Sequence, residues 1–271
     1  SWRVGDLLID RSLFMPQGVN TTILEYRHVA GPPCELTVRP FVAMRDHHAL
    51  THENAAFRTA TETDEHHVRL APYEHLPALT FATSNGRFLD WPAWYKNFEY
   101  AFELGRGLDF REDAMSPGSF VVELQPGARW VFAFSVEPEP NRPPGGAALL
   151  EWADAAWLEE STRLSALAAA PKPRRRAGRG SASEERLPRE ALAVLARAAD
   201  QFWVTGIHGA SVIAGYPWFT DWGRDSMIAL PGLTRATGRL DHARAVLTTF
   251  AAQSDAGLLP NRFVEGDGGA P

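Results

Sequence analysis

The chain has 271 residues, 45% of them hydrophobic and 22% charged, which fits one large or two ordinary domains of a soluble globular protein. Its net charge of −6 argues against a general attraction to nucleic acid or acidic membranes, and no apolar run is long enough to span a bilayer. The single cysteine, Cys34, excludes an internal disulfide and fits a reducing compartment, so we expect a cytoplasmic protein without nucleic-acid or membrane partners.

Residues 1–138 have the pattern of a β-domain. Hydrophobic and polar residues alternate along Val19–Val29 and, most clearly, along Trp94–Glu103. Phe120–Leu124 and Trp130–Val136 continue this pattern on either side of a turn at Gln125–Ala128. Several short strands with hardly any helical period predict an antiparallel β-sandwich.

Residues 139–188 predict a helical linker followed by a basic flexible segment. Leu149–Ala170 predicts an amphipathic helix. Its hydrophobic residues at helical spacing are Leu150, Trp157, Leu158, Leu164 and Leu167. Pro171–Pro188 follows, with five basic residues between Lys172 and Arg179. A polyanion-binding patch is the alternative, but no aromatic residues are interleaved for stacking, so a solvated linker is the better interpretation.

Residues 189–271 predict an α-domain, so the chain has a β-domain followed by an α-domain. Pro188 lies where a helix can begin. The predicted inner face of that helix consists of Leu192, Leu195, Ala199, Phe202 and Trp203. A short β-like stretch, Ala210–Ala214, precedes a helix at Asp225–Ala236, which we expect to kink at Pro231-Gly232. Asp241 begins another helix. Its predicted inward residues are Ala243, Leu247, Phe250 and Ala251.

Gly215–Asp225, with the sequence GYPWFTDWGRD, is the most unusual stretch of the chain. It holds four aromatic residues, two aspartates and an arginine within eleven residues. Aromatic rings offer flat surfaces to the C–H faces of a sugar, and arginine and carboxylate groups can orient its hydroxyl groups. The composition therefore predicts a carbohydrate pocket. The alternative is a core-lining turn in which Arg224 and Asp225 merely pair with each other.

Five motifs together resemble the prokaryotic glycogen debranching enzymes of the amylo-α-1,6-glucosidase type. The longest is Ser211–Leu233, SVIAGYPWFTDWGRDSMIALPGL, and the next is Gly257–Phe263, GLLPNRF. In the first half, Arg45–Phe57, Trp94–Tyr100 and Arg106–Asp109 resemble the β-sandwich domain of the same family. The resemblance covers nearly all of the chain except the basic segment.

The resemblance implies a multidomain fold, in which an antiparallel β-sandwich is followed by a helical linker and a six-hairpin (α/α)6 barrel. Residues 189–271 have room only for the first helices of that barrel, so we expect a truncated barrel, and we expect the first sandwich strands to be missing as well. In the family, the catalytic acid and base lie beyond the position of Pro271. We therefore expect no catalytic residue within this chain, and we expect the chain by itself to be inactive.

The resemblance also implies substrate-binding roles for particular residues. Trp222–Asp225 resembles the run that holds the non-reducing glucose in glucoamylase-like barrels. Arg224 and Asp225 would then bond to sugar hydroxyls, and Trp222 would form a wall of the pocket. Asp221 is a candidate partner that holds Arg224.

Four further residues could either belong to the pocket or have a structural role, and the sequence leaves both interpretations open. Tyr216 and Trp218 either shape the pocket or anchor the core. Asn261 and Arg262 either reach the pocket from the next loop or form a structural turn.

The sequence indicates no metal and no cofactor. The nine histidines include a cluster in the first half, but they lack metal-ligand spacing, and no nucleotide-binding or serine-hydrolase motif is present. We therefore expect a glycoside hydrolase that releases glucose from α-1,6 branch points of glycogen or limit dextrin by inversion. The alternatives are another glucoamylase-like or trehalase-like (α/α)6 hydrolase and a non-catalytic glucan-binding protein. In each case the partner is glycogen or another branched α-glucan, and the sequence leaves the oligomeric state open.

Overall fold

The computed structural model describes residues 1–46, 49–169, 188–216, 219–235 and 237–263. The chain divides into two compact units, Ser1–Glu160 and Ser161–Pro271, and each is described by itself. The predicted basic segment, apart from Pro188, lies outside the described residues. None of the helices in these described parts combines the length and the apolar character that crossing a membrane requires.

The first unit is built mainly from two antiparallel sheets. Its strands are β1 (Trp2–Val4), β2 (Leu7–Phe14), β3 (Thr21–Ala30), β4 (Cys34–Val38), β5 (Thr61–Thr63), β6 (His67–Leu70), β7 (Leu79–Thr83), β8 (Arg87–Glu99), β9 (Arg111–Leu124) and β10 (Arg129–Ser135), and a short helix, α1 (Ala101–Gly105), follows β8. Seven strands form one sheet in the order β1-β2-β3-β10-β7-β6-β5, and the other three form a sheet in the order β4-β9-β8.

A single aromatic core lies between the two sheets. Trp130 and Phe132 of β10 and Phe81 of β7 come from the larger sheet, and Met115 and Phe120 of β9 come from the smaller one. The rings of Phe120 and Phe132 meet edge to face with centroids 4.4 Å apart. Burying each such side chain contributes about 1.5–3 kcal/mol. The antiparallel, sandwich-like character predicted for this half is confirmed.

The prediction of one regular strand over Trp94–Glu103 was wrong. β8 begins earlier and ends at Glu99, and α1 carries Phe102, which is 80% exposed. The pairing of β8 with β9 shifts register twice, and Asn97 at the second shift has a φ of 59°. A bulge inserts an extra residue, so side chains after it point to the opposite face of the sheet. The alternating hydrophobic residues of this stretch therefore do not all face the core.

A buried carboxylate, Glu112, joins two of the motifs that the sequence singled out. Its side chain is only 3% exposed. It accepts hydrogen bonds from the Arg45 guanidinium, from the Tyr100 hydroxyl at 2.6 Å and from the Thr51 backbone N–H at 3.2 Å. The sequence did not indicate Glu112, because an acidic residue near the start of a strand looks like a solvated position.

The neighbouring carboxylate, Asp113, continues this connection. It accepts hydrogen bonds from the backbone N–H groups of Glu53 and Asn97, both at 3.0 Å. Val42 and Met115 also exchange backbone hydrogen bonds at 2.8 and 3.0 Å. The described residues of the motif Arg45–Phe57 therefore form a loop fixed to the start of β9.

These contacts predict acid sensitivity of the first unit. Burial raises the pKa of Glu112, but hydrogen bonds from Arg45, Tyr100 and Thr51 outweigh it and hold that pKa below its usual value. A depressed pKa contributes stability above the unfolded value, and this contribution is lost as the pH falls through the folded pKa. We expect the free energy of unfolding, measured with urea, to fall as the pH drops below about 4.3.

The matched variant for this test is Glu112→Gln, which keeps the shape but removes the titrating group. We expect it to be less stable at neutral pH and to lose less stability than the natural chain between neutral and acidic pH. An unchanged pH dependence in Glu112→Gln would show that other carboxylates cause the acid sensitivity.

The predicted helix of residues 149–170 is confirmed as α2 (Ala147–Ala169), and Leu150, Leu164 and Leu167 of its predicted hydrophobic residues are half-buried. Leu149 and Ala153 are its buried residues, and they pack on the outer face of the larger sheet against Ile23 and Val131. Trp157, in contrast, is 53% exposed, and Leu158 is also exposed. Leu149 and Ala153 are four residues apart and so lie on the same side of the helix, which is the side that packs on the sheet.

The second unit contains helices and one β-hairpin in its described part. The elements that follow α2 are α3 (Arg189–Asp200), β11 (Trp203–Gly206), β12 (Gly209–Val212), α4 (Gly223–Arg235) and α5 (Leu240–Ala252). Helix α4 continues through Pro231, and the kink predicted there stays a prediction. The core of this unit is formed by Val212, Leu230, Val246, Phe250 and Phe263.

Two predicted helix faces in this unit were partly right, because Ala243, Phe202 and Trp203 pack against the core as predicted. Helix α3 ends at Asp200, so Phe202 lies outside it and Trp203 begins β11. In α5 the buried side chains include Val246 and Phe250, whereas Leu247 faces solvent. Ala251 is exposed too, and so is Leu195 of α3. Val246 and Phe250 are four residues apart, and so are Leu247 and Ala251, so both pairs have helical spacing. Val246 and Phe250 are the buried pair because they pack against Leu230 and Val212.

Candidate functional site

The described residues of the Gly215–Asp225 stretch are hydrogen-bonded to one another between β12 and the start of α4. The Ala214 N–H donates to the carbonyl of Thr220, and the Phe219 N–H donates to the carbonyl of Gly215, both at 2.9 Å. An antiparallel bridge also joins Ile213 to Asp221. The residues that follow β12 and those that precede α4 are therefore held side by side.

Asn261 holds the N-terminus of α4 from a distant part of the chain. Its backbone carbonyl accepts a hydrogen bond from the Gly223 N–H at 2.9 Å, and its side-chain oxygen accepts one from the Arg224 N–H at 3.2 Å. Arg262 forms an antiparallel bridge with Trp222. Free N–H groups at a helix start need such acceptors, so Asn261 acts here as a cap. These bonds bring the two C-terminal motifs together.

Gly223 makes this close approach possible. A Cβ at this buried position would lie 2.5 Å from the carbonyl oxygen of Pro260 and 3.1 Å from Cε1 of Phe250. Neither the backbone of residues 260–261 nor the buried ring can withdraw without disturbing the core. Glycine at residue 223 is therefore required by the contact between α4 and the 260–262 segment.

We expect Gly223→Ala to destabilise the second unit by about 1–3 kcal/mol, because the added methyl overpacks a closed contact. Thermal unfolding followed by circular dichroism measures this. The matched control is Gly232→Ala in the same helix, where an added Cβ meets no atom within 4 Å. That variant should gain up to about 1 kcal/mol from better helix propensity. Equal stability of the two variants would refute the proposed contact.

Ser226 is a positioning residue that the sequence did not indicate. Its side chain is fully buried, its hydroxyl donates to the Val212 carbonyl at 3.1 Å, and its N–H donates to the Trp222 carbonyl at 2.8 Å. These bonds fix the first turn of α4 to β12. The only sequence signal was its place in the SVIAGYPWFTDWGRDSMIALPGL motif.

Arg224 and Asp225 lie side by side on the exposed surface of the first turn of α4. Within the described residues, neither side chain makes a hydrogen bond or an ion pair. The alternative of a core-lining turn with an Arg224–Asp225 pair is therefore wrong. The suggestion that Asp221 holds Arg224 was also wrong, because no ion pair joins them in this part of the chain. Among the described residues, a donor group and an acceptor group are thus left unpaired and could bind a ligand.

The aromatic candidates differ in their surroundings. Trp222 is half-buried, and its ring contacts no other aromatic ring of the described residues. Tyr216 is 58% exposed on the turn, so it does not anchor the core. Trp218 lies outside the described residues. The structure therefore joins the segment of Trp222, Arg224 and Asp225 to the segment of Asn261 and Arg262.

This arrangement can bind a neutral ligand with many hydroxyl groups. A guanidinium donates, a carboxylate accepts and an indole ring offers an apolar surface, all at the start of one rigid helix. The two aspartates of the turn, Asp221 and Asp225, are on the same short segment. That position suits holding one side of a ligand better than flanking a bond from opposite faces.

Two family comparisons agree with these observations. Residues 1–131 match the family described as the glycogen debranching enzyme N-terminal domain, and residues 197–271 match the family described as amylo-α-1,6-glucosidase. The first range covers most of the β-sheet unit, and the second contains the whole candidate site. The two matches occur in this order and together cover more than half of the chain. The chain belongs to the glycogen debranching enzyme family.

Proposed function

We propose that this chain provides the glucose-binding part of a glucosidase that releases single glucose units from α-1,6 branch points of glycogen or limit dextrin. The observation that carries the proposal is the pair of exposed side chains of Arg224 and Asp225 next to Trp222, which have no partner among the residues that the structure describes. The match of residues 197–271 to amylo-α-1,6-glucosidases supports the substrate class.

In this proposal the terminal glucose stands against Trp222. Arg224 donates hydrogen bonds to its hydroxyl oxygens, and Asp225 accepts hydrogen bonds from its hydroxyl groups. Each bond between a charged group and a hydroxyl contributes about 1.5–3 kcal/mol when water is excluded. Helix α4 gives these contacts a fixed geometry, because Asn261 and Ser226 hold its first turn in place.

We further propose that the hydrolysis is inverting and that its acid and base are not residues of this chain. Inversion needs one carboxyl group to protonate the leaving oxygen and another, about 6.5–9.5 Å away, to activate water on the opposite face. Asp221 and Asp225, four residues apart on one segment, do not suit this geometry. Helices α3, α4 and α5 are proposed to begin the six-hairpin barrel that would supply these groups.

The experiment is the release of free glucose from branched limit dextrin. We expect the full-length protein to release glucose and a polypeptide of residues 1–271 to release none. Sugar binding alone neither protonates the leaving oxygen nor activates water. The anomeric form of the released glucose, followed by NMR, tests inversion. Failure of the full-length protein to release glucose would refute the proposed function, and release by residues 1–271 would make Asp221 and Asp225 the candidate catalysts.

A further inference from the structure

A cleft lined by both charged and aromatic side chains lies on the outer face of the larger sheet in the first unit, beside the first half of α2. Its volume is about 230 Å³, and its lining includes Glu25, Arg27, Arg129, Asp154 and Trp157. This is smaller than the roughly 300–1,000 Å³ of most enclosed small-molecule pockets, so the cleft suits part of a long ligand. A second cavity of about 330 Å³ shares Glu25 and Arg27 with it and extends it along the sheet.

The charged groups of the cleft are paired with one another. Nη2 of Arg129 lies 2.7 Å from a carboxylate oxygen of Glu25 and 2.6 Å from one of Asp154, and Nη2 of Arg27 lies 3.0 Å from Glu25. Two acidic and two basic side chains leave no net charge. A phosphate-bearing or otherwise anionic ligand therefore finds no excess of positive charge. The network still offers donors and acceptors in fixed positions, which is what a neutral polyhydroxylated ligand requires.

Trp157 supplies an aromatic surface at the edge of this network. It is 53% exposed, and the ring of Phe14 contacts it edge to face with centroids 5.1 Å apart. That contact orients the indole and leaves more than half of its surface open. An indole next to paired carboxylates and guanidinium groups combines stacking on sugar C–H faces with hydrogen bonds to hydroxyl groups.

We propose that this cleft is a second glucan-binding site, which holds a linear α-glucan segment away from the Trp222–Asp225 site. The proposal rests on the glucosidase function proposed above, because it concerns the same polymer. A branched polymer has many outer chains. A site that binds one of them would keep the polymer attached while another branch is processed, which raises the effective concentration of branch ends.

The test is the binding of maltoheptaose to the full chain, measured by isothermal titration calorimetry. An Arg224→Ala background removes the contribution of the other site. We expect Trp157→Ala to weaken binding about tenfold, as loss of an aromatic contact does, and Trp157→Phe to restore part of the affinity. The matched control is Trp91→Ala, because Trp91 is also exposed but lies on the smaller sheet. Thermal unfolding of each variant checks that it is folded.

The outcomes separate this proposal from the proposed function. Unchanged binding in Trp157→Ala would overturn the second site, and so would an equal loss in Trp91→Ala. The same would follow if Trp157→Ala changed only the thermal stability. Glucose release from limit dextrin by the full-length protein is measured independently. If no glucose is released but binding still depends on Trp157, the glucosidase proposal fails and the second site stands.

Discussion

Replacing Arg224 by alanine in the full-length protein should lower the rate of glucose release from limit dextrin by two to three orders of magnitude. Arg224 is exposed, and its guanidinium has no partner in the described part of the chain, so in the proposed site the substitution removes a contact to the sugar rather than a structural one. A charged hydrogen bond that strengthens in the transition state is lost, and about 3–4 kcal/mol corresponds to that fall in rate. We expect kcat to fall together with kcat/KM.

The matched control is Arg197→Ala. Arg197 is an exposed arginine of α3, on the preceding helix of the same unit, and it lies within the range that matches the glucosidase family. Its loss should leave glucose release within about twofold, because surface substitutions away from special contacts have small effects. A folded Arg224→Ala enzyme with normal turnover would remove Arg224 from the proposed site, whatever the behaviour of Arg197→Ala.

The sequence predicted element types better than the directions of side chains. The antiparallel strands, α2 and the β-like stretch at Ala210–Ala214, observed as β12, follow from local periodicity. The burial of Val246 instead of Leu247 does not, because both lie on acceptable helical stripes and only the packing partner distinguishes them. In β8, the register shift next to Asn97 redirects side chains in a way that alternation alone does not reveal.

The candidate site, like the fold, could be predicted from the sequence only in part. The composition of Gly215–Asp225 predicted a sugar-binding stretch, and the exposed positions of Arg224 and Asp225 fit that prediction. The capping role of Asn261 and the need for glycine at residue 223 could not be predicted, because both depend on a contact between segments almost forty residues apart. Long-range contacts of this kind leave no local pattern in the sequence.

A second large effect is expected at Asp200, the last residue of α3. It is only 6% exposed, and its carboxylate forms ion pairs with Arg163 of α2 and with Arg239, where Nη1 lies 2.7 Å from Oδ1. The Arg239 contact is aligned too poorly for a good hydrogen bond but is close enough for strong attraction. Asp200→Ala removes the acceptor and leaves the positive charges of two largely buried arginines close together. Breaking a buried pair in this way costs about 3–5 kcal/mol.

The measurement is urea unfolding of the Asp200→Ala variant, followed by a probe in the second unit such as the fluorescence change of a tryptophan there. The control is Asp241→Ala, which removes an exposed aspartate from the first turn of α5 and should cost at most about 1 kcal/mol. Asp200→Asn distinguishes charge from shape: it keeps an acceptor oxygen, so a loss close to that of alanine would show that the negative charge between Arg163 and Arg239 is what stabilises this junction. If Asp200→Ala is no less stable than Asp241→Ala, the ion pairs of Asp200 with Arg163 and Arg239 do not stabilise the second unit, and the apolar core around Phe250 carries its stability.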